Sequence, residues 1–512
     1  MSSSQIKTGA LLSYLTIAFN MIAGLIYTPW MISQIGQSHY GLYTLANSVI
    51  TMLVMDFGIG AAVSRFISKY NAEGNLEATN RFLGIVYKLY FAIAMIILAV
   101  LVVLYFFLDG VYANLSANEM ETFKVLYVIV GLFSVISFPF VNLNGILIAH
   151  ERFVELKLAD VFHKVFIIVT MVLCLLMRRG VYALVLVNAI AGLLTIALKL
   201  WVIRSKTPIK VNFRYRDKGL LKEIFSFSAW TTVGSLAQRL IFNITPSIIA
   251  AVSITGTVGV AIFGIATTIE GYVFTFATAI NGMFMPRVAR ILHDGRKKEE
   301  LVPLMIRVGR LQCMIIGLLV VGFIALGKSF VVDIWNKPEF SRSYICAVLL
   351  ILPGFLHQPM EIANTTLIVE NKVKQQAVVL LIMGGLNVAL SLVLSKYYGA
   401  LGASVSIFIA YMVRTVLMTV LYQKTLHLDM WRFFKETFMK LVPQLVLTLA
   451  VGMVFSHFNP ISNVYLKFAV DGLVLVGFYF ALMWLCGFNF YEKSLIRSVM
   501  GKLLRKKHKA ST

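Results

Sequence analysis

The feature that most constrains this chain is a succession of apolar runs, each about twenty residues long, separated by short polar segments. About twenty apolar residues cross the hydrocarbon core of a bilayer as an α-helix. The strands of membrane barrels are about ten residues long and alternate in polarity, which these runs do not. The pattern therefore predicts an all-α polytopic membrane protein. We place about fourteen spans, near residues 9–32, 40–66, 83–108, 122–149, 160–177, 182–203, 224–253, 259–286, 303–327, 343–368, 375–395, 400–423, 441–457 and 466–488.

Lys and Arg residues are distributed unevenly across the predicted membrane. If the N-terminus is inside, the inside segments hold 30 of the 46 Lys and Arg residues and the outside loops hold 6. Because cytoplasmic loops carry the excess of these residues, we predict that both termini are cytoplasmic. The net charge of +23 follows from the same bias. It predicts contact with anionic membrane lipids and argues against nucleic acid as a partner, since no soluble domain carries the charge.

The two halves of the sequence resemble each other at a separation of 217 to 223 residues. Tyr27-Thr28-Pro29 matches Ile244-Thr245-Pro246, and Tyr40-Gly41 matches Phe263-Gly264 at the start of the following span. Because an even number of spans separates the copies, the halves share one orientation, with a pseudo-two-fold axis along the membrane normal and a substrate path between them. We predict an N-terminal six-helix lobe, a basic cytoplasmic linker, a C-terminal six-helix lobe, two additional helices and a basic cytoplasmic tail, at residues 1–205, 206–223, 224–424, 425–488 and 489–512.

Pro29 and Pro246 occupy matching positions in the first and seventh predicted spans. A proline inside a helix removes one backbone hydrogen bond and kinks the helix. A matched pair of kinks suits a transporter that rocks between two states. The alternative is that both prolines are simply tolerated, as prolines in membrane helices often are.

Five charged side chains lie deep within predicted spans, where a charge is costly and usually faces a cavity. They are Asp56, Arg239, Glu270, Glu361 and Arg414. The guanidinium of Arg239 is suited to binding a phosphate or diphosphate through paired donors. Asp56, Glu270 or Glu361 are candidates for ion coupling or gating. The alternative is a structural ion pair, such as Arg239 with Asp56 or Glu270.

The seventh predicted span is unusually hydrophilic for a membrane helix. Its polar residues are Thr231, Thr232, Ser235, Gln238 and Asn243, in addition to Arg239. This composition is typical of a cavity wall. We therefore assign Gln238 and Asn243, with Arg239 and Arg414, to a candidate substrate-binding cavity.

The sequence contains no pattern that supports catalysis or metal binding. The residues Gly322–Ser329 match the phosphate-loop pattern, but they end an apolar span instead of joining a strand to a helix in a soluble domain. The four cysteines also lie in apolar segments, without metal-ligand spacing. The external loops at 109–121 and 328–342 are too short for a catalytic domain. We therefore expect no metal, no cofactor and no enzymatic activity. We expect an H⁺ or Na⁺ gradient to drive transport.

The N-terminal motifs resemble those of a known transporter family. The segments that carry the resemblance are Tyr27–Gly36, Tyr40–Tyr43, Asp56–Gly60 and Arg65–Gly74. They are similar to bacterial polysaccharide-biosynthesis flippases, the O-antigen and capsule repeat-unit translocases of the multidrug/oligosaccharidyl-lipid/polysaccharide (MOP) exporter superfamily. The resemblance implies two six-helix lobes in a V-shaped, MATE-like bundle, with spans 1, 2, 7 and 8 lining the central cavity. Asp56, Arg239 and Glu270 lie on three of these spans.

The resemblance also implies a substrate and a location. The substrate would be an undecaprenyl-diphosphate-linked oligosaccharide, moved by alternating access from the cytoplasmic to the periplasmic leaflet of the bacterial inner membrane. The polymerase and chain-length regulator of the same pathway are then expected partners. Two alternatives stay open: a multidrug/cation antiporter of the same superfamily and a membrane-bound glycan polymerase. Fourteen spans and Arg239 argue against the first, and short external loops argue against the second.

Overall fold

The structure, a computed structural model, describes residues 23–281, 288, 290–292, 300–335, 337–370 and 372–494. Over these ranges the chain forms helices and turns and no β-strand. Eleven helical segments in the same ranges are long and apolar enough to cross a membrane. The predicted all-α membrane fold is confirmed, whereas the number fourteen stays a prediction.

Four of the predicted spans account for the difference between fourteen and eleven. The first, at 9–32, lies largely outside the described residues. The second, at 40–66, is two shorter helices instead of one. The eleventh and twelfth form one helical element, Val373–Thr425. The other spans each match one long segment.

The helices follow the predicted apolar runs closely. In chain order they are 23–35 (α1), Gln37–Leu53 (α2), Ile59–Ala72 (α3), Leu76–Val111 (α4), Ala117–Ser137 (α5), Leu143–Ala149 (α6), Phe153–Leu176 (α7), Gly180–Lys206 (α8), Lys218–Phe242 (α9), Thr245–Val252 (α10), Gly256–Asn281 (α11), Leu301–Ser329 (α12), Ser341–His357 (α13), Glu361–Val369 (α14), Val373–Thr425 (α15), Met430–Phe458 (α16) and Val464–Leu482 (α17).

Short polar side chains begin several of these helices. Asn75 accepts the N–H of Ala78 at the start of α4, and Ser116 and Glu119 form a reciprocal capping box at the start of α5. Asp217 accepts the N–H groups of Leu220 and Gly219 before α9, and these bonds lower the pKa of its carboxyl group. These loop residues therefore mark where three of the helices begin.

Element α15 contains a turn between two of the predicted spans. Gly399 has φ 57° and ψ −132°, a backbone conformation that residues other than glycine rarely adopt. A Cβ on Gly402 would lie 2.1 Å from the carbonyl oxygen of Leu394. In a continuous helix these residues would be about 12 Å apart along the axis. The chain therefore reverses between the predicted spans 375–395 and 400–423.

The described helices pack into two compact units. The first comprises Met1–Thr268 with Lys372–Arg414, and the second comprises Ile269–Asn371 with Thr415–Thr512. In the first, Tyr90 packs edge to face on Phe138, with ring centroids 5.3 Å apart. The second contains a buried apolar cluster formed by Ala277, Ile316, Val320 and Ile351. The division into six-helix lobes at 1–205 and 224–424 stays a prediction.

Candidate functional site

The second predicted span is interrupted around Asp56. Helix α2 ends at Leu53 and α3 begins at Ile59, and Phe57 and Gly58 between them have φ of 52° and 67°. A left-handed conformation is rare for a residue as bulky as phenylalanine. The carboxylate of Asp56 accepts the N–H of Gly60 at 2.9 Å and the hydroxyl of Tyr90. Asp56 thus caps α3, whose first N–H groups have no partner within the helix.

Two hydroxyl groups of α9 complete this break. The Oγ1 of Thr232 donates to the carbonyl of Phe57 at 2.7 Å, and the Oγ of Ser228 donates to the carbonyl of Gly58 at 3.3 Å. Non-helical backbone at membrane depth is tolerated where protein groups or a cavity satisfy its polar atoms. The hydroxyls of α9 therefore hold the backbone of the second span in its broken form.

A second break separates α9 from α10, just before Pro246. Pro246 is the second residue of α10 and has no N–H to donate. The amide of Asn387 donates to the carbonyls of Leu240 at 3.0 Å and Ile241 at 3.4 Å. The hydroxyl of Ser48 donates to the carbonyl of Asn243 at 2.9 Å. Side chains from α2 and α15 thus satisfy the carbonyls released at this break.

Arg239 lies on the same side of α9 as Thr232. The two residues are seven apart, which places them on one face and about 10 Å apart along the axis. Arg239 is half-buried, and its Nη1 atom is buried without a hydrogen-bond partner in the described part of the chain. Among the described residues Arg239 forms no ion pair. A guanidinium with unused donors inside a membrane helix is available to an anionic ligand.

Arg414 presents a similar arrangement in the second half of α15. Its guanidinium carbon lies 5.8 Å from the ring centroid of Tyr411, and its buried Nε has no hydrogen-bond partner within the described ranges. The ring of Tyr411 in turn lies 6.2 Å from that of Phe242, one turn beyond Arg239. The segments carrying the two arginines are therefore neighbours within the first unit. Cation–π contact stabilises the charge of Arg414 without using its donors.

The other residues predicted for the site are more dispersed. Gln238 is exposed, and Asn243 is the C-terminal cap of α9. Pro29 lies within residues 23–35, which are helical throughout, so a kink there stays a prediction. The side chain of Thr231 is outside the described part of the chain.

The two remaining acidic residues belong to the second unit. Glu361 is the first residue of α14 and accepts the amide of Asn364 at 3.1 Å. Glu270 is half-buried in α11 and forms no salt bridge with the described residues. Their predicted roles in ion coupling or gating stay predictions.

A second matched pair of prolines was not predicted from the sequence. Pro139 lies in a 3₁₀ turn between α5 and α6, and Pro359 lies in a 3₁₀ turn between α13 and α14. The two are 220 residues apart, which agrees with the separation of the internal repeat. The spacing of these prolines was a visible signal for interruptions in the fourth and tenth predicted spans. Asn387 gave no such signal, because a lone asparagine in an apolar run does not reveal its partners.

Residues 6–292 match the family model described as polysaccharide biosynthesis protein. The chain belongs to this family. The match includes both breaks of the first unit, with Asp56, Arg239 and Pro246. No curated protein matches the sequence.

Solved structures show that this family member has the fold of MOP superfamily transporters. It is similar to the lipid II flippase MurJ in an inward closed conformation, with a TM-score of 0.70 and 15% identity over 96% of this chain and 99% of that chain. It is similar to an inward-facing multidrug resistance MATE family transporter, with a TM-score of 0.64 and 14% identity over 79% and 97% of the two chains.

A third solved structure has the same fold. It is a MOP superfamily transporter from Pyrococcus furiosus, described by the reverse polarity of its binding pocket, with a TM-score of 0.59 and 16% identity over 84% and 96% of the two chains. At these identities the likeness establishes a shared fold. The predicted membership of a polysaccharide-biosynthesis family with a MATE-like fold is confirmed, and the chain is a multi-pass membrane protein.

Proposed function

We propose that this family member is a flippase that moves a lipid-linked oligosaccharide across the bacterial inner membrane, with both termini in the cytoplasm. The substrate is an undecaprenyl-diphosphate-linked repeat unit for surface polysaccharide, and the mechanism is alternating access without covalent catalysis. Support comes from the family and from a fold similar to that of a lipid II flippase over 96% of the chain.

The observation that carries the substrate assignment is the unused Nη1 of Arg239. A cation of this kind is costly within a membrane helix unless a ligand or a cavity compensates for it. The diphosphate of a polyprenyl carrier offers oxygens in the geometry that a guanidinium binds with two donors. The broken second span lies beside the same face of α9, because Thr232 donates to the carbonyl of Phe57.

A cation antiporter is the second candidate, because multidrug transporters share the fold. Such a protein would use Asp56 or Glu270 to bind a cationic drug or a coupling ion. In the first unit, however, the carboxylate of Asp56 is engaged by Tyr90 and Gly60. The available charge there belongs to the two arginines, which favours an anionic substrate. An H⁺ or Na⁺ gradient as the driving force is part of the proposal.

Deletion of the gene tests the function directly. We expect lipid-linked repeat units to accumulate on the cytoplasmic leaflet and surface polysaccharide to be lost, with both restored by a plasmid copy. The control is a strain lacking an early glycosyltransferase of the pathway, which should lose surface polysaccharide without accumulating the intermediate. Normal surface polysaccharide combined with altered drug sensitivity in the deletion strain would favour the antiporter.

A further inference from the structure

The N-termini of three helices meet at the carboxylate of Glu119. Ser38 is the second residue of α2, Glu119 the third of α5 and Thr257 the second of α11. The Oε1 of Glu119 accepts the hydroxyls of Ser38 and Thr257, each at 2.5 Å, and these two hydroxyl oxygens are 3.2 Å apart. Each helix N-terminus carries unpaired N–H groups and a partial positive charge. One carboxylate therefore stabilises three helix ends at once.

The second oxygen of the same carboxylate has a separate role. The Oε2 of Glu119 accepts the backbone N–H of Ser116 at 3.0 Å and its hydroxyl at 2.8 Å, which completes the capping box of α5. This fixes the rotamer of Glu119 from within its own helix. The carboxylate is thus oriented before it contacts α2 and α11, and only Oε1 joins different helices.

Helices α2 and α11 also touch through their backbones beside Glu119. A Cβ on Gly41 would lie 2.0 Å from the carbonyl oxygen of Thr257, so no other residue fits there without separating the helices. Two turns further along α11, a Cβ on Gly264 would lie 3.0 Å from Thr44. Small residues permit this close approach of membrane helices. Gly41 and Gly264 are the two glycines matched by the internal repeat.

The neighbouring loops are tied to the same end of the helices. The amide of Asn114, between α4 and α5, donates to the carbonyl of Ala251 at 2.7 Å. The excess of Lys and Arg in the other loops places this end on the outer side of the membrane. We refer to Ser38, Gly41, Asn114, Glu119 and Thr257 together as the outer junction.

We infer that Glu119 is a positioning residue for transport, and that the outer junction opens and closes once in every transport cycle. The junction joins α2 and α5, from the first six predicted spans, to α10 and α11, from the next six. A carrier that works by alternating access must separate these two groups on the outer side to release its substrate. Hydroxyl and carboxylate groups suit a contact that opens repeatedly, because water replaces their interhelical hydrogen-bond partners when the helices separate. The inference rests on the proposed alternating-access function.

A reversible cross-link tests whether the junction must open. In a variant without the four native cysteines, the pair Ser38→Cys and Thr257→Cys places two thiols where hydroxyl oxygens now lie 3.2 Å apart. We expect oxidation of membranes to form the disulfide and to abolish flipping, and reduction of the same sample to restore it. Each single-cysteine variant controls for oxidation damage. Continued flipping in fully cross-linked protein, or failure of the pair to cross-link, would overturn the inference.

A second experiment isolates the role of the carboxylate. The reporter is Ala261→Cys, a fully buried position one turn after Thr257, labelled from outside with a membrane-impermeant maleimide. We expect Glu119→Gln to increase the labelling rate roughly tenfold, because loss of a charge-assisted hydrogen bond increases the population of the open state. The matched control is Glu121→Gln, an exposed position on the same helix, which should leave the rate unchanged.

The two outcomes for Glu119 are distinct. If its role is only to cap α5, Glu119→Gln lowers the folded yield and leaves the labelling rate of the folded fraction equal to that of the control, which would refute the inference. Labelling reports movement whatever substrate is carried. A deletion strain with normal surface polysaccharide would therefore refute the proposed function, while the opening of the junction could still be measured.

Discussion

Two arginines in membrane helices of this protein have opposite surroundings. Arg310, in α12 of the second unit, donates to the carboxylate of Glu492 through Nε at 2.6 Å and Nη2 at 2.9 Å. It also donates to the carbonyls of Glu436 at 3.0 Å and Gly487 at 2.7 Å. Only 4% of its side chain is exposed. Arg239, in α9 of the first unit, has a buried Nη1 with no hydrogen-bond partner among the described residues.

The difference distinguishes a structural charge from an available one. A buried guanidinium whose donors are engaged by a carboxylate and by backbone carbonyls holds helix ends together and has no capacity left for a ligand. A buried guanidinium with unused donors retains the free-energy cost of its burial until a ligand binds. Arg310 therefore serves the fold, whereas Arg239 is the residue that we predict to bind the substrate. Substitutions at the two positions should separate stability from activity.

The largest loss of stability is expected for Arg310→Ala. It leaves the carboxylate of Glu492, which is 11% exposed, without its cation. Breaking a buried pair by removing one partner costs about 3–5 kcal/mol. We expect a much lower melting temperature in detergent and a low folded yield. The double variant Arg310→Met with Glu492→Leu should recover part of the loss, and an unchanged melting temperature for Arg310→Ala would contradict the structural role.

An intermediate effect is expected for Asn387→Ala. It leaves the carbonyl of Leu240 without a partner and that of Ile241 with the Thr245 hydroxyl alone, at a cost of about 1–3 kcal/mol. The measurement is chemical or thermal unfolding in detergent. Thr278→Ala is the control, because its exposed hydroxyl bonds only within its own helix and its loss should change stability by less than about 0.5 kcal/mol. Equal stability of the two variants would show that the break needs no support from α15.

The smallest effect on stability is expected for Arg239→Ala, which removes a cation with an unpaired buried donor. Folding should be unchanged within about 0.5 kcal/mol. Export of the oligosaccharide should nevertheless be abolished, and Arg239→Lys should retain part of it because the charge remains while the paired donors are lost. Leu236→Ala, an exposed position on the same helix, is the control. Normal export by both arginine variants would disprove the assignment of a phosphate-binding role.

Apolar runs predicted most of the helices, because the need to satisfy the backbone hydrogen bonds in lipid applies to each segment separately. A segment of about twenty apolar residues has no other way to satisfy its backbone in lipid. The boundary between the predicted spans 375–395 and 400–423 illustrates this, since the turn at Gly399 lies between them. The break around Asp56 was not predicted, because the hydropathy of residues 40–66 continues through it. It depends on Ser228 and Thr232, which are about 170 residues further along the chain.

The amino-acid sequence is enough to identify a helical membrane protein, to locate most of its spans and to assign its family. These three properties follow from hydropathy or from sequence motifs, which are local properties of short segments of the chain. Tertiary structure alone decided that Arg310 is engaged by Glu492, that Arg239 keeps a free donor and that Glu119 joins three helix ends. Hydrogen bonds are satisfied in space, by groups up to 219 residues apart among the described residues, and no local property of the sequence encodes that pairing.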